Sequence, residues 1–101
     1  MGGSVITAIV LIKAAVDRIP EVAEAVAELD GVSEVYSVAG EVDLVAMVRV
    51  REHDDLADAI AGRLNKVAGI LHTHSLIAFR AYSRHDLESA FSLGADSADP
   101  D

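Results

Sequence analysis

Two short runs of this 101-residue chain carry side chains able to do chemistry, Val38-Ala39-Gly40-Glu41-Val42-Asp43 and His72-Thr73-His74-Ser75. In the first, Gly40 permits a positive φ or a close backbone approach to a ligand, and a turn at a strand end can offer unpaired N–H groups to a carboxylate. Glu41 and Asp43 bring negative charge that could hold an ammonium group. The competing reading is an ordinary hairpin turn with solvated acids. In the second run, strand alternation puts His72 and His74 on one face and Thr73 and Ser75 on the other. The two hydroxyls could orient a small polar ligand, or bond across a sheet. The histidines could share a metal ion, but a complete site needs a third ligand from His53, His85 or an acid. His72 or His74 with Asp43 would permit acid–base work. No Gly-x-Ser-x-Gly elbow, phosphate-binding glycine loop or dinucleotide fingerprint accompanies them. A binding role without catalysis or cofactor is therefore the expectation.

The elements that must position these residues repeat. The turn at Gly40 separates two halves, each reading strand, helix, strand: residues 5–12, 19–29 and 32–38, then 44–50, 56–66 and 70–79. Gly31 and Gly69 occupy the same place in the two halves, between helix and second strand. Asp17 is placed to cap the first helix and Pro20 is tolerated in its first turn, where backbone N–H groups lack intrahelical partners. Ile19, Val22, Val26 and Leu29 then recur at helical spacing. In the second helix Asp54 and Asp55 at the start and Arg63 and Lys66 at the end suit the helix dipole, around a stripe of Leu56, Ile60, Leu64 and Val67.

Two such units with right-handed crossovers predict an α+β, ferredoxin-like β-α-β-β-α-β domain over residues 4–82. Its sheet is four-stranded and antiparallel, with both helices on one face. The strands are apolar on both sides: Ile6, Ala8, Val10 and Ile12 alternate with Val5, Ile9 and Leu11, and Leu44, Ala46, Val48 and Val50 with Val45 and Met47. Two helices cover one face only, so a second copy of the chain is expected on the other, giving a homodimer. Ser83, Asp86, Leu87, Ala90, Phe91 and Gly94 read as a short amphipathic C-terminal helix over 83–94. An acidic, disordered tail over 95–101 follows.

Composition narrows the function classes. The formal charge is −9, from 17 acidic and 8 basic residues, whereas a nucleic-acid binder needs Lys and Arg to displace counterions from phosphates. Direct nucleic-acid binding is not expected. Cysteine is absent, which removes disulfides, thiolate catalysis and Cys-based zinc sites. The apolar run at 5–12 is too short to span a bilayer and no basic residue precedes it as in a signal peptide. A cytoplasmic protein without membrane contact is expected. Hydrophobic residues reach 51% with only four Phe and Tyr, so the core should be aliphatic and alanine-rich.

The run Val38-Ala39-Gly40-Glu41-Val42-Asp43-Leu44-Val45, followed after the second helix by Gly69-Ile70-Leu71-His72-Thr73-His74-Ser75-Leu76-Ile77, resembles the effector-binding (RAM) domain of the Lrp/AsnC family. That family has a Gly-x-x-Asp turn after its second strand and a Gly-Val-x-x-Thr-x-Thr pattern entering its last. The resemblance covers about residues 4–82. It implies a module of transcriptional regulation that binds an amino acid or related metabolite, dimerises through its sheets and builds octamers, with the ligand in a cleft between dimers. Carried over residue by residue, the ligand contacts are Gly40, Asp43, Thr73 and Ser75, with Ala39, Glu41 and Val42 as flanking backbone. Ala39 stands where Thr is common, and Ser75 replaces the second Thr, so either a different ligand choice or a loss of binding is expected. The chain begins directly at its first strand, so the resemblance also implies an effector module without its own DNA-binding domain, able to co-assemble with full-length relatives. The alternatives are a small dimeric enzyme of oxygenase type using His72 or His74, and a purely structural assembly factor.

Overall fold

A computed structural model of the chain describes residues 5–84. The expected C-terminal helix over 83–94, apart from its first two residues, and the tail over 95–101 lie outside the described residues. Strand β1 (Ile6–Ala14), helix α1 (Ile19–Ala27), strands β2 (Val32–Ser37) and β3 (Leu44–Val50), helix α2 (His53–Ala57) and strand β4 (Ile70–Ala78) follow in that order. The sheet order is β2-β3-β1-β4, with every neighbouring pair antiparallel. This is the ferredoxin-like α+β arrangement.

Alternation along the strands decides what is buried. Ala8, Val10, Ile12 and Ala14 of β1 and Leu44, Ala46 and Val48 of β3 turn toward the helices and are sealed there with Val22 and Val26 of α1 and with Leu56, Ala59 and Leu64. Each such Val, Leu or Ile side chain contributes about 1.5–3 kcal/mol by leaving water. No polar or charged residue is buried among the described residues. The opposite parity, with Ile9, Leu11, Val45 and Met47, is only half-buried and forms an apolar face without helices.

Three local expectations change. Asp17 does not cap α1: it lies inside a 3₁₀ turn (Val16–Arg18), Arg18 takes the cap position, and no side chain bonds there. The turn meets part of the need itself, since Arg18 N–H donates to the Ala15 carbonyl at 2.8 Å. Pro20 does sit in the first turn of α1. The second helix starts at His53, three residues early, and is not regular: α2 widens into a π-helical stretch (Asp58–Arg63) and tightens into a 3₁₀ turn (Leu64–Lys66). The extra residue per turn is what lets Ala59 and Leu64, five apart, both face the core, while Ile60 is only half-buried. Strand β1 runs two residues further than expected and β4 one residue less.

The two halves are locked by equivalent glycines. Gly31 and Gly69 have φ of 93° and 98°, a region that side chains strongly disfavour. Their carbonyls accept from Arg49 N–H and Ala15 N–H, each at 2.8 Å, at corresponding strand ends.

Candidate functional site

The turn between the halves is a hairpin connection closed by Val38 N–H donating to the Asp43 carbonyl at 3.1 Å. Gly40 within it has φ of 151° and open space where a Cβ would stand. The N–H groups of Ala39, Gly40, Glu41 and Val42 find no acceptor among the described residues. Ala39, Gly40 and Glu41 are exposed, and Val42 and Asp43 half-buried.

Asp43 ties this turn to the end of β1. Its N–H donates to the Ile12 carbonyl at 2.9 Å, and its Oδ2 accepts from Ala14 N–H at 2.9 Å. The second bond answers a local need, because the β1–β3 ladder ends at the Ile12–Leu44 pair, which leaves the Ala14 N–H on that side of β1 to be satisfied outside the ladder. One carboxylate oxygen, Oδ1, remains for a ligand. Asp43 therefore has a structural task that spacing in the sequence does not reveal.

Thr73 and Ser75 flank β1 on its other side, where Ile12 pairs with Thr73 and Val10 with Ser75. Since Ile12 and Val10 face the helices, so do both hydroxyls. Leu44 pairs with the same Ile12, which sets the Asp43 end of β3 and Thr73 two strand spacings apart, about 10 Å, at one end of the sheet. Asp43 and Thr73 thus flank the end of β1 without touching across it, whereas Ser75 lies opposite Val10 at mid-strand. The Thr73 hydroxyl donates to Oδ1 of Asn65 at 2.9 Å, while Ser75 is exposed. Asn65 escaped sequence reasoning: its place beside Thr73 depends on the helical phase after the π stretch, and a polar residue at a helix end carries no signal of its own.

The histidines take the other face, as alternation requires. His74 pairs with Leu11 and His72 with Lys13, so Lys13 stands between His72 and the carboxylate that leans on Ala14. No His–Asp43 hydrogen bond exists among the described residues. Groups of three or more His, Cys, Asp or Glu able to hold a metal are absent among the described residues; His85 lies outside them.

A second polar cluster, unmarked in sequence reading, lies on the helix-free face at the β2 edge. Tyr36 donates its hydroxyl to Glu34 Oε2 and Arg49 Nη1 donates to Glu34 Oε1, both at 2.9 Å. The Tyr36 hydroxyl, and after it the Arg49 guanidinium, hold the Glu34 carboxyl below its ordinary range. The Glu34 carboxylate in turn raises the Tyr36 phenol. Glu34 and Tyr36 are two apart on a strand, and that spacing alone places them on one face.

Among the described residues no helix is long and apolar enough to cross a membrane. The chain matches the Lrp/AsnC ligand binding domain over residues 7–87. The crystal structure of TTHA0845 from Thermus thermophilus is 46% identical, with a TM-score of 0.73, and the match covers 78% of this chain and 99% of that one. The uncharacterized HTH-type transcriptional regulator PH1916 of Pyrococcus horikoshii is 36% identical over 59 residues, 58% of this chain. The matched part spans 39% of that regulator. At 15% identity, the transcriptional regulator NMB0573 of Neisseria meningitidis, solved as a complex with L-Met, shares the fold with a TM-score of 0.69, over 78% of this chain and 53% of that one.

Proposed function

Because the chain belongs to the Lrp/AsnC ligand binding domain family, we propose that it is an effector-binding module of transcription regulation whose effector is a free amino acid, and that it is not an enzyme. The observation that carries this is the set of unpartnered N–H groups from Ala39 to Val42 beside the Asp43 carboxylate, at the sheet end that also holds Thr73. Turn N–H groups would receive an α-carboxylate and Asp43 Oδ1 an ammonium. Thr73 and Ser75 would orient the rest. That NMB0573 is seen with L-Met supports the class of ligand. The gap of about 10 Å between the two sides and the exposure of Ser75 and Ile77 on β4 favour a cleft completed by a neighbouring copy.

The half-buried apolar face of Ile9, Leu11, Val45 and Met47 supports pairing of two copies through their sheets, with such dimers gathered into a larger ring of octamer size, in the cytoplasm. Co-assembly with full-length, DNA-binding relatives would carry the signal onward. A ligand that fits only the assembled cleft must favour assembly through its differential affinity. The test is calorimetry across the twenty amino acids paired with native mass spectrometry. At least one amino acid should release heat and shift the mass distribution upward; heat from none, with masses unchanged, would sink the proposal.

A further inference from the structure

At the opposite end of β1 from the turn, the helix-free face carries a shallow groove of about 390 Å³, lined by Thr7, Met47, Arg49, Ala78, Phe79 and Arg80 among others. It combines two properties that are rarely left to solvent. Its apolar rim is bare: Phe79 is 99% exposed and neighbouring Val5 51%. Its charged lining residues are both arginines, in a chain whose formal charge is −9. Arg49 is paired with Glu34, whereas Arg80 has no ion pair among the described residues.

We propose that the groove is the docking site of this chain's own C-terminal segment, residues 86–93. That segment, Asp86-Leu87-Glu88-Ser89-Ala90-Phe91-Ser92-Leu93, has the complementary chemistry. Leu87, Ala90 and Phe91 recur at one-face helical spacing, and Asp86 and Glu88 bring negative charge to Arg80. Its start is tethered close by, because Ala81 lines the groove and six residues on to Leu87 reach at most about 20 Å. A tether this short gives the segment a high effective concentration at the groove. Docking there takes Met47 from the face proposed above to meet a second copy and leaves Ile9, Leu11 and Val45, further along it, for that contact, and it does not depend on the amino-acid site.

Hydrogen exchange on the full chain tests this. Residues 79–81 lie beyond β4 and gain no protection from its ladder. In the full chain their amides should exchange about tenfold or more slowly than in the Phe91→Asp variant, at any protein concentration, with β1 and β3 unaffected. Arg80→Glu should remove the protection, and adding Asp86→Lys and Glu88→Lys to it should restore the protection. Free exchange at 79–81 in the full chain overturns the proposal. So does protection that survives Phe91→Asp and grows with protein concentration, which would assign the groove to a second copy.

Discussion

The two halves of the chain share a topology and differ in finish. In the first, α1 is a regular helix whose Val22 and Val26 are fully buried, and β2 is fastened at its edge by the Glu34–Arg49 pair. In the second, the helix passes through a π stretch and a 3₁₀ turn. Its strand β4 pairs along nearly all of β1 and, like β2, contributes no fully buried residue. The unfinished half is the one that carries Thr73 and Ser75. A duplicated fold thus offers one copy for stability and leaves the other free to depart from regular geometry where the proposed binding would need it, as π stretches in helices often do.

The sharpest way to break this comparison is at the equivalent glycines. A Cβ on Gly69 would stand 2.7 Å from Cγ2 of buried Val22, while on Gly31 the nearest atom is Ala59 Cβ at 3.2 Å. Both substitutions force a positive φ on a side chain, but Gly69→Ala also overpacks the core. Urea unfolding should show a loss of about 2–5 kcal/mol for Gly69→Ala and about 1–2 kcal/mol for Gly31→Ala. Equal losses would mean that the halves are packed alike.

Asp43, at the seam, comes next. Asp43→Ala removes a charged acceptor from Ala14 N–H and should cost about 1–3 kcal/mol. Asp43→Asn keeps an acceptor, so most of the stability should return, while the heat of amino-acid binding should not. Recovery of both by Asn would remove the ammonium role. A smaller effect is expected at Thr73, whose only described bond is to exposed Asn65. Thr73→Val should change stability by no more than about 0.5 kcal/mol, yet weaken amino-acid binding about tenfold, for one lost hydrogen bond. Unchanged affinity would detach β4 from the site.

The smallest effect belongs to the finished edge. The Glu34 carboxyl is lowered, first by the Tyr36 hydroxyl and then by Arg49, so its contribution is complete above the ordinary carboxylate pKa and is lost as pH falls through the lower folded value. The Tyr36 phenol is raised, so its share is present below the ordinary phenol pKa and lost as pH rises through the folded one. Carboxyl NMR titration should find Glu34 among the last acids to protonate, and Arg49→Gln should bring it back toward the ordinary range. An unchanged Glu34 titration in that variant would deny the fastening of β2.

Much of this was legible beforehand because it is local. The period of two in Ile6-Thr7-Ala8-Ile9-Val10-Leu11-Ile12 names which side chains share a face, and the structure buries Ala8, Val10 and Ile12 accordingly. Thr73 and Ser75 part from His72 and His74 for the same reason. Gly31, Gly40 and Gly69 all take positive φ where the turns required it. What failed was regularity and capping: Asp17 was displaced by a 3₁₀ turn, and the π stretch adds Ala59 to the expected stripe of Leu56, Ile60, Leu64 and Val67, all of which meet the core. Both depend on what the helix packs against rather than on its own residues.

The chain by itself determined the duplication, the strand parity, the turn at Gly40 and the aliphatic core, since alternation and backbone freedom are properties of neighbouring residues. Only the tertiary structure decided that β1 lies between β3 and β4, and so that Asp43 and Thr73 flank the same Ile12. Only packing rotated the end of the second helix to set Asn65 against Thr73. Strand order and helical phase are settled by burial between elements distant in sequence, and no local pattern encodes them.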